Sequence, residues 1–230
     1  MDTNLNIKEF EGLMETVNRE GKDKLMEYIR SSDFYTAPAS TRFHLSCPGG
    51  LLQHSLNVWH CLRRKRKNVT WSNVLENVSD ETLIIISLLH DLCKTNFYSI
   101  ELRWRKDANN KWEQYETYGV DDKVPYGHGE KSAMMVEQFI KLTGPERFAI
   151  RWHMGFTEPK ELYQQVNQAM EKYPLVLALH EADQEASIMM EDEKDNKQQP
   201  ELDEVEKKEW QEPAMEESEA ADFQDAESIQ

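Results

Sequence analysis

An imidazole and a carboxylate stand side by side at His90-Asp91, and that pair is where the chain first suggests chemistry. Consecutive positions on a helix diverge by about 100°, so the two groups can share one metal ion only from a helix edge, with further ligands arriving from other segments. Such helpers are present: His54 on a preceding helical stretch, His128 at the start of a later one, His153 at the end of another, and Asp183 in the last. Imidazole nitrogen mixed with carboxylate oxygen suits manganese, iron, cobalt, nickel or zinc, rather than calcium or a thiolate-type structural site. Six ligand candidates exceed what one tetrahedral ion needs and suffice for two. Asp91 is placed to bridge ions roughly 3.5–4 Å apart, because a carboxylate offers two oxygens. Two divalent ions against two aspartates leave a pocket charge of about +2, attractive to a phosphate ester, and a hydroxide activated by the ions would be the nucleophile.

The elements that must position these groups follow from apolar spacing. Phe10, Leu13, Met14 and Val17, then Leu25, Met26 and Ile29, predict two N-terminal helices. The break Pro48-Gly49-Gly50 precedes a helix over 51–67 that ends in Arg63-Arg64-Lys65-Arg66-Lys67, a basic run read as a solvated helix terminus rather than a nucleic-acid patch. A helix capped by Ser79 or Asp80 runs on to Lys94. The period then switches to two: Tyr98, Ile100, Leu102 and Trp104 alternate with polar residues, Asp107 to Asn110 turn, and Trp112 to Tyr118 alternate again, which predicts a β-hairpin near 97–120. Its Trp104, Trp112, Tyr115 and Tyr118 are expected to pack on the domain, a nucleobase platform being the less favoured reading. Helical spacing resumes over 129–142, 145–152, 159–171 and 174–190. The fold class is therefore all-α with one small inserted hairpin.

Charge divides the chain. Of 230 residues, the last 40 hold 16 acids and 4 bases, whereas residues 1–190 hold 27 acids and 23 bases, so the net charge of -16 lies mostly in the tail. Residues 191–230, with few aliphatic side chains, are expected to be an acidic disordered tail. The body, residues 1–190, divides into N-terminal helices over 1–35 and a motif-bearing core over 36–190. Cys47, Cys61 and Cys93 form no CxxC pair, and no apolar run approaches membrane-spanning length, so the expectation is a cytoplasmic protein without a membrane partner.

The order His54, His90-Asp91, His128, His153, Asp183 resembles the signature of HD-domain metal-dependent phosphohydrolases in their two-metal form. The local contexts Gly49-Gly50-Leu51-Leu52-Gln53-His54-Ser55, Leu88-Leu89-His90-Asp91-Leu92-Cys93-Lys94 and Gly127-His128-Gly129-Glu130 are similar as well. Residues 36–190 carry the likeness, which is strongest to the HD portion of bacterial exoribonucleases that join an OB-fold to an HD domain; this chain has no room for the OB-fold. The resemblance implies an HD helical bundle, a divalent-metal centre, and a nucleotide or short single-stranded nucleic acid as substrate. Within Leu179-His180-Glu181-Ala182-Asp183 it favours Asp183 as ligand over His180. It also implies that His44, in the segment Pro38 to His44, contacts substrate or a metal-bound oxygen.

Three cations fit the same chemistry. Lys94, four residues after His90, can neutralise a phosphoryl oxygen as charge builds; Lys131, three after His128, and Arg42 can bind phosphate. Asp91 and Lys94 are thus the expected catalytic pair. His60, six residues after His54, points elsewhere and reads as structural. Two other functions use the same ligands: a non-catalytic HD module whose metal ties helices together while it binds a nucleotide or protein, and a di-iron HD oxygenase.

Overall fold

The computed structural model describes residues 2–191. The expected tail from 192 onward lies outside the described residues.

Helix α1, Thr3–Glu15, is capped by the Asp2 carboxylate, which accepts from the amides of Asn4 and Leu5, and buries Phe10, Leu13 and Met14. Helix α2, Lys22–Ser31, buries Leu25, Met26 and Ile29. Gly21 opens it at φ 87°, and a β-carbon there would lie 1.9 Å from the Phe139 carbonyl oxygen. The two central helices are α3, Gly50–Arg66, and α5, Asp80–Leu89, which Ser79 caps. Leu83 to Leu89 are all buried, consistent with a helix packed on every side. Between α3 and α5 lies α4, Val69–Leu75, capped by Asn68. Its seven residues bury only Leu75, too little apolar periodicity to be anticipated.

The helix expected to reach Lys94 stops earlier, at Leu89; a single 3-10 turn, Leu92–Lys94, follows. The hairpin pairs β1, Tyr98–Lys106, with β2, Trp112–Val120, in antiparallel register from Tyr98 opposite Val120 to Lys106 opposite Trp112. Its outer half does not pack on the domain as expected. Trp104 is 61% and Trp112 64% exposed, along with Ile100 and Leu102 on the same face, and only the base is tied down, where the Tyr98 hydroxyl donates to the Ala39 carbonyl at 3.2 Å.

Helix α6, His128–Glu137, and α7, Gly144–Trp152, follow, the latter opened by a capping box between Thr143 and Glu146. Helix α8, Tyr163–Lys172, begins four residues later than its proline suggested, after a 3-10 turn at Lys160–Leu162. Helix α9, Pro174–Glu185, passes into a π-helical turn, Ala186–Met190. The basic run closing α3 is not wholly solvated: Lys65 is buried, 2.9 Å from Glu181 and 2.5 Å from Glu185. His60 pairs with Glu9 at 3.1 Å, in line with a structural role.

Arg19, in the α1–α2 connection, locks the N-terminal helices to the core. Its guanidinium meets Glu81 at 2.8 Å and the fully buried Glu146 at 2.8 Å, and Glu146 also accepts from the Thr82 hydroxyl. Burial alone would raise the Glu146 carboxyl, but Arg19 and these donors hold it below its ordinary 4.5. Its stabilising contribution is therefore complete above that ordinary value and is lost as pH falls through the depressed one. Arg19→Met strands a buried carboxylate and is expected to cost about 3 kcal/mol, roughly 6–12 °C in a thermal melt at pH 7. A much smaller loss would show the pair to be incidental.

Candidate metal centre

Three helix C-terminal ends and one N-terminal end converge here. His90 is the residue that closes α5, His153 closes α7, and Asp183 lies two residues before the end of α9, further along than the middle of the helix. His128 is the first residue of α6, and His54 projects from the interior of α3. Helix C-terminal ends carry partial negative charge, which favours a cation among them.

The local fold also sets each imidazole's orientation. A helix leaves its last carbonyls without intrahelical partners. His90 Nδ1 donates to the Ser87 carbonyl at 2.8 Å, and His153 Nδ1 donates to the Ile150 carbonyl at 2.7 Å. Carbonyls only accept, so each ring carries its proton on Nδ1 and turns Nε2 inward. His54 has no such carbonyl, and its Nδ1 instead faces the Glu191 carboxylate at 3.0 Å. Its Nε2 lies 3.3 Å from His90 Nε2, 3.2 Å from Asp183 Oδ1 and 3.6 Å from Asp91 Oδ2.

Asp91 is the hub. Oδ1 is 2.6 Å from His128 Nε2 and 3.6 Å from His153 Nε2, while Oδ2 is 2.6 Å from Lys94 Nζ and 3.5 Å from His90 Nε2. Burial opposes its ionisation, yet Lys94 and the surrounding imidazoles hold its carboxyl well below the usual range. Asp183 is likewise depressed against burial, chiefly by His54. Burial pushes His128 down. Burial would also lower His54 and His153, but facing carboxylates raise both, His54 to about 10.

The donor set fits borderline divalent ions. His153 Nε2 is buried without a hydrogen-bond partner, an orphan nitrogen facing the Asp91 carboxylate. Ligand atoms of His54, His90 and Asp91 lie within 4.8 Å of one another, and so do those of His90, His153 and Asp183. All six expected ligands thus meet in one place, with Asp91 between the His128 side and the His54 side.

The remaining expected residues distribute less uniformly. His44 lies at the rim, its ring 5.0 Å from that of His54, and burial lowers its pKa. Lys131 is buried beside the centre, but its ammonium pairs with Asp122 at 2.5 Å and sits over Phe97. Arg42 is exposed and lies over Phe43. His180, the competitor of Asp183, donates to the His153 carbonyl at 2.7 Å and so supports a ligand rather than being one.

Three participants escaped sequence reasoning. Cys93 Sγ is 3.2 Å from His128 Nδ1, and burial lifts its thiol to about 12, so a neutral thiol lies against the outer nitrogen of that ring. Its place two residues after Asp91 was a usable signal. Tyr98, half-buried near Lys94, has its hydroxyl raised to about 12 by desolvation. Glu191 is the third, and it corrects the expected boundary: the first residue assigned to the tail is 6% exposed and inside the centre.

Residues 51–190 match the HD domain family, and the chain belongs to it. Members of that family are generally metal-dependent hydrolases. No curated protein and no solved structure matches the chain. Among the described residues no helix is long and apolar enough to cross a membrane.

Proposed function

We propose that the protein is a metal-dependent phosphohydrolase acting on a phosphomonoester or phosphodiester of a nucleotide or short oligonucleotide. One observation carries this reading: five ligands from five separate helical elements converge around a sixth, the buried Asp91 carboxylate, which also pairs with the half-buried Lys94 ammonium. A purely structural ion would need four such ligands and no spare cation. His54, His90, His128, His153, Asp91 and Asp183 would hold two divalent ions, whose Lewis acidity would lower the pKa of a water and offset phosphoryl charge. Lys94 then lies where a third positive charge meets a phosphoryl oxygen. The likeness to the HD portion of OB-fold-bearing exoribonucleases makes a short single-stranded oligonucleotide one of the substrates to try.

The test is elemental analysis of the purified protein, followed by assays of bis-p-nitrophenyl phosphate and a panel of mono-, cyclic and oligonucleotides with manganese. The expected results are bound transition metal and turnover of at least one substrate. A metal-dependent melting shift with no hydrolysis across the panel would overturn the enzymatic reading in favour of a binding module, and iron with oxygen consumption would favour an oxygenase.

A further inference from the structure

Every inward-facing imidazole whose ring is fixed by an oxygen owes its orientation to an acceptor on Nδ1. For His90 and His153 that acceptor is a carbonyl left over at a helix end. His54 cannot use this device, because it lies inside α3, where the carbonyls of the preceding turn are taken up by the helix ladder. Its Nδ1 faces both oxygens of Glu191, at 3.0 and 3.1 Å.

Glu191 is itself held for the purpose. It is buried, and its Oε1 accepts from Asn57 Nδ2 at 2.8 Å. Asn57 Oδ1 accepts from Gln53 Nε2 at 2.9 Å, and Gln53 Oε1 accepts from Asn6 Nδ2 at 2.8 Å. This chain of side-chain bonds runs from α1 across one face of α3 to the metal centre. The π-helical turn Ala186–Met190 delivers Glu191 to its end, one residue beyond the stretch that matches the family.

We infer that Glu191 is a positioning residue of the metal centre: its carboxylate accepts a hydrogen bond from His54 Nδ1–H, fixes the ring, and so directs Nε2 at the metal. A carboxylate behind a ligating histidine also makes the ring a stronger donor. The inference rests on the metal centre described above and assigns Glu191 no direct bond to metal.

The test is manganese binding to the full chain by titration calorimetry, with the metal-free melting temperature measured in parallel. Glu191→Ala is expected to weaken manganese binding by about 10- to 100-fold. Glu191→Gln keeps an acceptor oxygen but no charge and is expected to lose roughly 3- to 10-fold. Because Glu191 acts through His54, the double variant His54→Ala/Glu191→Ala is expected to bind no more weakly than His54→Ala alone. Wild-type affinity in Glu191→Ala, or losses that add in the double variant, would overturn the inference. Should Glu191→Ala fail to fold, Glu191→Gln decides, and undiminished affinity there overturns it equally. His54→Ala with undiminished affinity would defeat the metal centre itself, whereas a weakened His54→Ala beside an intact Glu191→Ala defeats the role of Glu191 alone.

Discussion

Asp91→Ala is expected to strip the centre of metal and to lower kcat by at least about 10³-fold, with the helical circular-dichroism spectrum retained. This side chain lies among the four imidazoles of the centre and Lys94. Its two oxygens lie 2.6 Å from His128 Nε2 and 2.6 Å from Lys94 Nζ, with His54, His90 and His153 nitrogens at 3.5–3.6 Å. Removing the carboxylate leaves four imidazoles and the Lys94 ammonium facing one another with Asp183 as the remaining acidic ligand of the six. A divalent ion entering that cavity would meet repulsion where it now meets a negative oxygen. Asp91→Asn preserves shape and one carbonyl-type oxygen, so it separates charge from packing: it is expected to keep the metal-free stability closer to wild type while still losing most metal. Metal content and turnover within a few-fold of wild type in both variants would place the chemistry elsewhere.

How far the centre could be read beforehand depends on what kind of signal each residue carries. His54, His90, Asp91, His128, His153 and Asp183 were legible because metal ligation restricts residue type, and because helix ends bring His90, His128 and His153 to positions marked in sequence by caps and breaks. The hairpin was legible from its period-two alternation and the Asp107–Asn110 turn, yet its failure to pack was not, since alternation reports that a strand has two faces and not what covers them. Glu191 was hidden for a further reason. It stands at the head of a charge-rich stretch whose composition resembles a solvated segment, and only a partner 137 positions away makes it buried. Lys131 illustrates the converse. Its spacing from His128 suggested an anion site, and the strand-to-helix connection supplied Asp122 as its counter-ion.

Lys94→Met is expected to reduce kcat by about 10²- to 10³-fold while leaving KM within a few-fold and metal binding as tight as wild type or tighter. The sign of the metal effect follows from geometry. The Lys94 ammonium occupies the Asp91 Oδ2 atom at 2.6 Å, and it competes with any cation for that oxygen. Burial would lower the lysine, yet Asp91 raises it further above its ordinary value, so the ammonium stays charged throughout the working range. Removing it frees Asp91 for metal but deletes the positive charge that a phosphoryl group would meet as it gains electron density. Methionine fills the stem's volume, which keeps the effect electrostatic rather than a cavity. Lys94→Arg restores charge without the compact ammonium, and it is expected to recover only part of kcat, since a planar fork cannot place one donor where the single Nζ now sits. If Lys94 merely neutralised Asp91 in the metal-free protein, Lys94→Met at saturating manganese would turn over at the wild-type rate, and the assignment of Lys94 to the reaction would be lost.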